Sequence, residues 1–311
     1  MKAIIFPGQG SQKSGMANEF EKNFKIVREI FTQADDVLKI NLSKIILNGS
    51  DEDLKKTEIT QPAILTTSIA ILNVMKNEFN FNENLSKYFA GHSLGEYTAL
   101  VASGSLKFSD ALNLVHNRGK LMQNAVPEGK GAMLAVMGLN ISDLNLMLNK
   151  FNENKGICEI ANDNSPGQII LSGNKETLIA FSEKLKVEKK RSIFLPVSAP
   201  FHCSLMKPAA ESMKTHLQKI NFKNPNLEVI SNVNALPIKK DEVVQDLLYK
   251  QIFSKVRWRE SIEYMIKNNV NDFIEIGPGK VLSGLVKRTN DKVSTKSINK
   301  IEDMKIYNDK S

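Results

Sequence analysis

The amino-acid sequence predicts an α/β protein with a hydrolase-like core on a mostly parallel sheet, residues 1–127 and 197–311, and an inserted ferredoxin-like domain, residues 128–196. Three observations predict it. Short apolar runs of strand length alternate with helix-period runs through both ends of the chain, the pattern of a parallel sheet covered by helices. The stretch YFAGHSLGEYTAL (88–100) sets a serine between glycines, Gly91-x-Ser93-x-Gly95, with apolar residues before it and a helix-forming run after it. That is the G-x-S-x-G arrangement, in which a sharp strand-to-helix turn exposes a serine hydroxyl. From residue 131 the order becomes β-α-β-β-α-β within about seventy residues, the ferredoxin-like pattern.

Taken in order, AIIF (3–6) is the first strand and Pro7-Gly8 ends it. A helix is expected near 61–78, and KYFAG (87–91) is the strand that feeds the serine turn. One helix starts at Leu94 and another covers 109–124, with Ser109 as its N-cap. The insert reads as strand GAMLAVMG (131–138), helix 142–152 capped by Ser142, strands ICEIA (157–161) and QIILSG (168–173), helix 175–186 and a strand near 191–195. Helices near 207–219, 242–252 and 258–269, the strand DFIEIG (272–277) and a helix from Lys280 return to the core.

Composition narrows the function. The chain has 311 residues, 41% hydrophobic and 24% charged, as a soluble globular protein has. The apolar residues before Pro7 are too few for a signal peptide, and no apolar run is long enough to span a membrane. Two cysteines, Cys158 and Cys203, form neither a disulfide framework nor a metal spacing; a reducing cytoplasm and no bound metal are the expectation. The net charge is +8, carried by 36 lysines and only six arginines. These are spread along the chain without interleaved aromatic residues, which argues against nucleic acid. Compositional drift and a surface for an acidic protein both account for the charge.

A serine nucleophile needs a base, and each of the four histidines can be tried. His116 and His216 fall on polar helix faces and read as solvated. His92 adjoins the serine, but neighbouring side chains at such a turn diverge, so it is expected to pack beneath the turn. His202 lies in LPVSAPFHCSLM (195–206), an irregular segment just before a helix, where catalytic groups tend to sit. It is the expected general base for Ser93. No acidic residue stands out to orient the imidazole; a neutral carbonyl can do so, which predicts a Ser-His dyad.

Arg118 sits in the middle of the apolar stripe of its helix, flanked by Ala111, Leu114, Val115, Leu121 and Met122. A buried, permanent cation needs an anion. A structural salt bridge and a substrate carboxylate gripped by the planar guanidinium both satisfy it. FPGQGSQ (6–12) fits neither a phosphate loop nor a dinucleotide fingerprint. It reads either as an ordinary tight turn or as half of an oxyanion hole, with the Gln9 N–H opposite that of Leu94.

These segments together resemble the malonyl-CoA:acyl carrier protein transacylases. The likeness runs in order through FPGQGSQ, TQPAI (60–64), GHSLGEYTAL (91–100), RGKLMQ (118–123), NSPGQIILSG (164–173), APFHCSLM (199–206), VRW (256–258) and EIGPGKVLSGLVKR (275–288). It implies an acyltransferase that moves malonyl from malonyl-CoA to the phosphopantetheine thiol of an acidic acyl carrier protein in fatty-acid synthesis. It further implies no cofactor and a monomer. By this resemblance Ser93 is acylated, His202 is its base, and Gln9 and Leu94 supply oxyanion N–H groups. Arg118 pairs with the malonyl carboxylate, the Gln251 main-chain carbonyl orients the histidine, and Asn162 lines the pocket. Lys255 departs from the family pattern, which often has Pro before Val-Arg-Trp. An esterase or thioesterase shares the serine turn but has no need for Arg118, and methylmalonyl remains an alternative acyl group.

Overall fold

Lys2–Phe6, KAIIF, is apolar after its first residue because the strand it forms is covered on both faces. In the computed structural model, which describes residues 1–151, 156–197, 199–239 and 242–310, this is the first of nine strands. In chain order they are β1 (Lys2–Phe6), β2 (Ser86–Gly91), β3 (Gly131–Met137), β4 (Cys158–Ser165), β5 (Gln168–Asn174), β6 (Arg191–Phe194), β7 (Glu228–Ile230), β8 (Asp272–Ile276) and β9 (Ser294–Ile298). Residue 152, the expected helix end, and Ser198 of the 195–206 segment lie outside the described residues.

Five strands form a sheet in the order β7-β2-β1-β8-β9, every pair parallel. The other four, β4-β5-β3-β6, form an antiparallel sheet, with helix Ile141–Phe151 connecting β3 to β4 and helix Lys175–Val187 connecting β5 to β6. This is the α/β core with an inserted ferredoxin-like sheet that the alternation and the β-α-β-β-α-β order predicted.

Several elements differ from the expectation, for identifiable reasons. β7 has three residues and β9 reads STKSI; both are sheet edges, where an apolar run is not required. Four helices between Asn18 and Lys55 were not anticipated. The arginine-bearing helix begins at Phe108, so Ser109 lies inside it rather than capping it. Asn140, not Ser142, caps the first helix of the insert: the Asp143 N–H donates to Asn140 Oδ1 at 2.8 Å, and Asn140 Nδ2 donates to Asp143 Oδ2 at 2.7 Å.

Two features position a site. β1 and β2 are parallel neighbours whose register ends at Phe6 opposite Gly91, so the turns after both strands open at one edge. The insert meets the core beside that edge. Asp163 N–H donates to Val256 O at 3.0 Å and Val256 N–H to Ala161 O at 2.8 Å, while Arg259 Nη2 holds the buried Asp163 carboxylate at 2.8 Å.

Candidate active site

The turn after β2 is strained. Ser93 has φ 54° and ψ −107°, outside the usual regions for a residue with a side chain, and the Leu94–Ala102 helix starts immediately after it. The flanking glycines permit this. A Cβ on Gly91 would lie 1.9 Å from the carbonyl carbon of Gly95, and one on Gly95 would lie 2.2 Å from Phe6 O. The strain is restrained at both polar groups of the Ser93 backbone. Its N–H donates to Asn232 Oδ1 at 2.7 Å and its carbonyl accepts from Gln251 Nε2 at 2.9 Å.

His202 reaches the serine from the irregular segment after β6. Its Nε2 lies 2.7 Å from Ser93 Oγ, and its Nδ1 lies 2.8 Å from the main-chain oxygen of Gln251. A carbonyl only accepts, so Nδ1 carries the proton and Nε2 presents a lone pair to the hydroxyl. Gln251 belongs to the last turn of the Val244–Phe253 helix, whose carbonyls have no partner within the helix. Burial, with the charge of Arg118 second, pushes the His202 imidazole down to about 3. It is therefore neutral, and able to take a proton.

None of the other three histidines is hydrogen-bonded to Ser93 Oγ, and two of them, His116 and His216, differ from expectation. His92 is half-buried, with Nε2 2.8 Å from Asn164 Oδ1 and its ring edge-on to the buried Trp258, and it lines the cavity described below. His116 is half-buried rather than solvated, with Nδ1 3.0 Å from Glu58 O. His216 is likewise half-buried, not freely solvated.

Arg118 is 1% exposed. Its Nη1 donates to Gln61 Oε1 at 2.8 Å; its Nη2 donates to Gln251 Oε1 at 2.9 Å and to Ser93 Oγ at 3.0 Å. The guanidinium also lies over the Tyr97 ring, 5.4 Å from its centroid. All three hydrogen-bond partners are neutral, and among the described residues no carboxylate forms an ion pair with it. Of the two readings left open by the sequence, the structural salt bridge finds no partner. Burial lowers the arginine's pKa, against the opposing effect of Tyr97 and Glu96.

Ser93, His202 and Arg118 open onto one cavity of about 220 Å³. Gln9, Gln61 and Asn162 line it as well. Gln9 comes from the turn after β1, which the register sets against the serine turn. Leu94 is the first residue of its helix, so its N–H has no acceptor within that helix. Two participants went unnoticed in the sequence. Asn232 sits in a polar loop with no distinguishing signal. Glu96 had one, as the single charged residue in the otherwise apolar helix LGEYTALVA.

Residues 3–307 match the family model described as acyl transferase domain. The malonyl CoA-acyl carrier protein transacylase of Bacillus subtilis (strain 168) is 43% identical over 305 residues, covering 98% of this chain and 95% of the relative. The chain belongs to the malonyl CoA-acyl carrier protein transacylase family. The transacylase structure from Clostridium perfringens superimposes with a TM-score of 0.93 at 41% identity, covering 98% of this chain and 95% of that one. A malonyl-transacylase solved in complex with its type II PKS acyl-carrier protein matches with a TM-score of 0.94 at 38% identity, covering 100% and 99%. Against the transacylase pattern, Lys255 replaces the frequent proline; its Nζ lies 3.4 Å from Glu260 Oε1, and the Gln251 carbonyl still meets His202.

Proposed function

We propose that this chain transfers malonyl from malonyl-CoA to the phosphopantetheine thiol of an acyl carrier protein through a malonyl-Ser93 intermediate. The observation that carries the reading is the position of one atom. Ser93 Oγ lies 2.7 Å from a neutral imidazole nitrogen and 3.0 Å from a buried guanidinium that forms no ion pair among the described residues. Family membership supports malonyl-CoA as donor, and the structural neighbour solved with its carrier protein supports such a protein as acceptor.

In the first half-reaction His202 Nε2 takes the Ser93 proton as Oγ attacks the thioester carbonyl. The oxyanion is met by the N–H groups of Gln9 and Leu94. The C–S bond then breaks and the CoA sulfur takes the proton from His202. The second half runs the same steps in reverse, with the carrier's thiol as nucleophile. The Gln251 carbonyl holds the imidazole tautomer that both halves require, in place of a triad acid. Arg118 receives the malonyl carboxylate in its planar fork. A cavity of 220 Å³ falls below the roughly 300–1,000 Å³ of sites for drug-sized ligands, which suits a short acyl unit. Asn162 lines the cavity from the insert, whose bounds we set at 128–196, against a core of 1–127 and 197–311. The net charge of +8 suits an acidic carrier.

Intact-protein mass spectrometry after incubation with malonyl-CoA tests the reading. A malonyl adduct on the wild type, absent in Ser93→Ala and discharged only by a carrier thiol, is expected. No adduct, or discharge into buffer alone at the same rate, overturns it; the second outcome identifies a thioesterase.

A further inference from the structure

Glu96 is fully buried, one helical turn after Ser93, and the mechanism above does not use it. Its Oε2 accepts two hydrogen bonds, from the Asn232 main-chain N–H at 3.1 Å and from Gln251 Nε2 at 2.7 Å. Its Oε1 meets no partner at hydrogen-bond geometry among the described residues, although the Ser231 hydroxyl is near enough to favour the ionised carboxyl. Both donors continue into the site. Asn232 Oδ1 accepts the Ser93 N–H at 2.7 Å, and Asn232 Nδ2 donates to Gly91 O at 2.8 Å. Gln251 Nε2 also donates to Ser93 O at 2.9 Å, while Gln251 Oε1 accepts from Arg118 at 2.9 Å. The two backbone groups of the strained serine are thus held by two side chains, and the residues that supply them share one anchor, a single oxygen of Glu96.

The anchor also fixes which way the Gln251 amide faces. An amide presents a donor end and an acceptor end, and the two are not interchangeable. With Nε2 committed to Ser93 O and Glu96 Oε2, Oε1 is left to face the guanidinium. Turned over, the amide would set its oxygen against two acceptors and its NH₂ against a cation. We propose that Glu96 is a positioning residue of the acyl-transfer reaction, whose Oε2 holds the Ser93 backbone through Asn232 and Gln251 and aligns Arg118 through Gln251. Its action is that of an acceptor rather than a charge. Burial raises its carboxyl to about 7, and Oε2 accepts both bonds whether or not Oε1 carries a proton. The proposal rests on the functional reading for the identity of the acyl donor, and on the geometry alone for the rest.

Three variants test it: Glu96→Gln, Glu96→Leu and Asn232→Ala. Two rates are read on each. One is phosphonylation of Ser93 by a small alkyl fluorophosphonate, which needs neither thioester nor carboxylate. The other is Ser93 acylation by malonyl-CoA against acetyl-CoA. Glu96→Gln keeps an acceptor of the same shape and should stay within about threefold of wild type in both. Glu96→Leu and Asn232→Ala should phosphonylate about 10²-fold more slowly while keeping wild-type circular dichroism, as misplaced nucleophiles do. Glu96→Leu should also lose about tenfold of its malonyl-over-acetyl preference, whereas Asn232→Ala, which leaves the Glu96–Gln251 bond intact, should keep it. A general loss of packing would not separate the two.

Folded Glu96→Leu at the wild-type phosphonylation rate overturns the proposal, as does Glu96→Gln being as slow as Glu96→Leu. Should Glu96→Leu fail to fold, Asn232→Ala decides: a wild-type rate overturns the proposal, a slow one supports it. If malonyl-CoA acylates no variant and not the wild type, yet the phosphonylation pattern holds, the functional reading fails and the positioning role stands.

Discussion

Replacing Arg118 by alanine should separate malonyl transfer from acetyl transfer. The guanidinium is 1% exposed, and its bonds to Gln61, Gln251 and Ser93 are all to neutral oxygens. A substrate carboxylate would therefore meet a cation that lacks an ion-pair partner among the described residues, in a site shielded from water. Each hydrogen bond between charged partners contributes about 1.5–3 kcal/mol, and a planar fork makes two. Allowing for the desolvation of the incoming carboxylate, a loss of about 4 kcal/mol follows, or about 10³-fold in kcat/KM for malonyl-CoA. Arg118 also touches Ser93 Oγ, so its removal disturbs the nucleophile itself. That disturbance enters the acetyl rate equally, which makes acetyl-CoA the internal control. The assay is single-turnover acylation of Ser93 by each donor, followed by intact mass. Arg118→Lys retains charge without the fork and should fall between wild type and alanine for malonyl. Equal losses with both donors in Arg118→Ala would refute the carboxylate assignment, because the arginine would then act only on the serine.

Three further outcomes are expected. The His202 imidazole is pushed from 6.5 down to about 3, so Ser93 phosphonylation should show no acid limb near pH 6.5; a midpoint there would place the proton acceptor elsewhere. The same shift carries a stability sign. Below pH 6.5 the unfolded chain takes up a proton that the folded chain refuses, so this contribution is complete above 6.5 and is lost as pH falls toward 3. The loss amounts to about 2 kcal/mol by pH 5, and urea titrations of His202→Gln should show a correspondingly flatter loss with acid. Arg259→Ala leaves the buried Asp163 carboxylate without its cation and should cost about 2 kcal/mol in urea denaturation, reduced from the fully buried case because the arginine is partly exposed; no change would show that the pair does not tie insert to core. Raising ionic strength should increase KM for the carrier protein and leave malonyl-CoA acylation of Ser93 unchanged, a flat carrier response counting against electrostatic docking.

What the sequence disclosed follows from the range of the interactions involved. The serine turn was readable because its strain is relieved locally: Gly91 and Gly95 are required by atoms within a few residues or on the adjacent strand. Arg118 was readable because a cation inside an apolar stripe violates a helix's own periodicity. His202 emerged because only four histidines exist and the other three could be set aside, although two of those are half-buried rather than solvated and the third is bonded to Asn164. The role of Gln251 had no such signal. It acts through a main-chain carbonyl, which every residue possesses, and through an amide whose partners lie more than a hundred positions away, so only family resemblance pointed to it. Asn232 is hidden for the same reason, 139 residues from the serine whose N–H it accepts. Glu96 is the instructive case. It is an acidic residue in a buried helix, the same violation that marks Arg118, but it is not a direct partner of the histidine, whose Nδ1 meets a carbonyl instead. Its place is one residue further out, behind Gln251, where an acceptor can hold the neutral groups that touch the reacting atoms without setting a charge beside the imidazole.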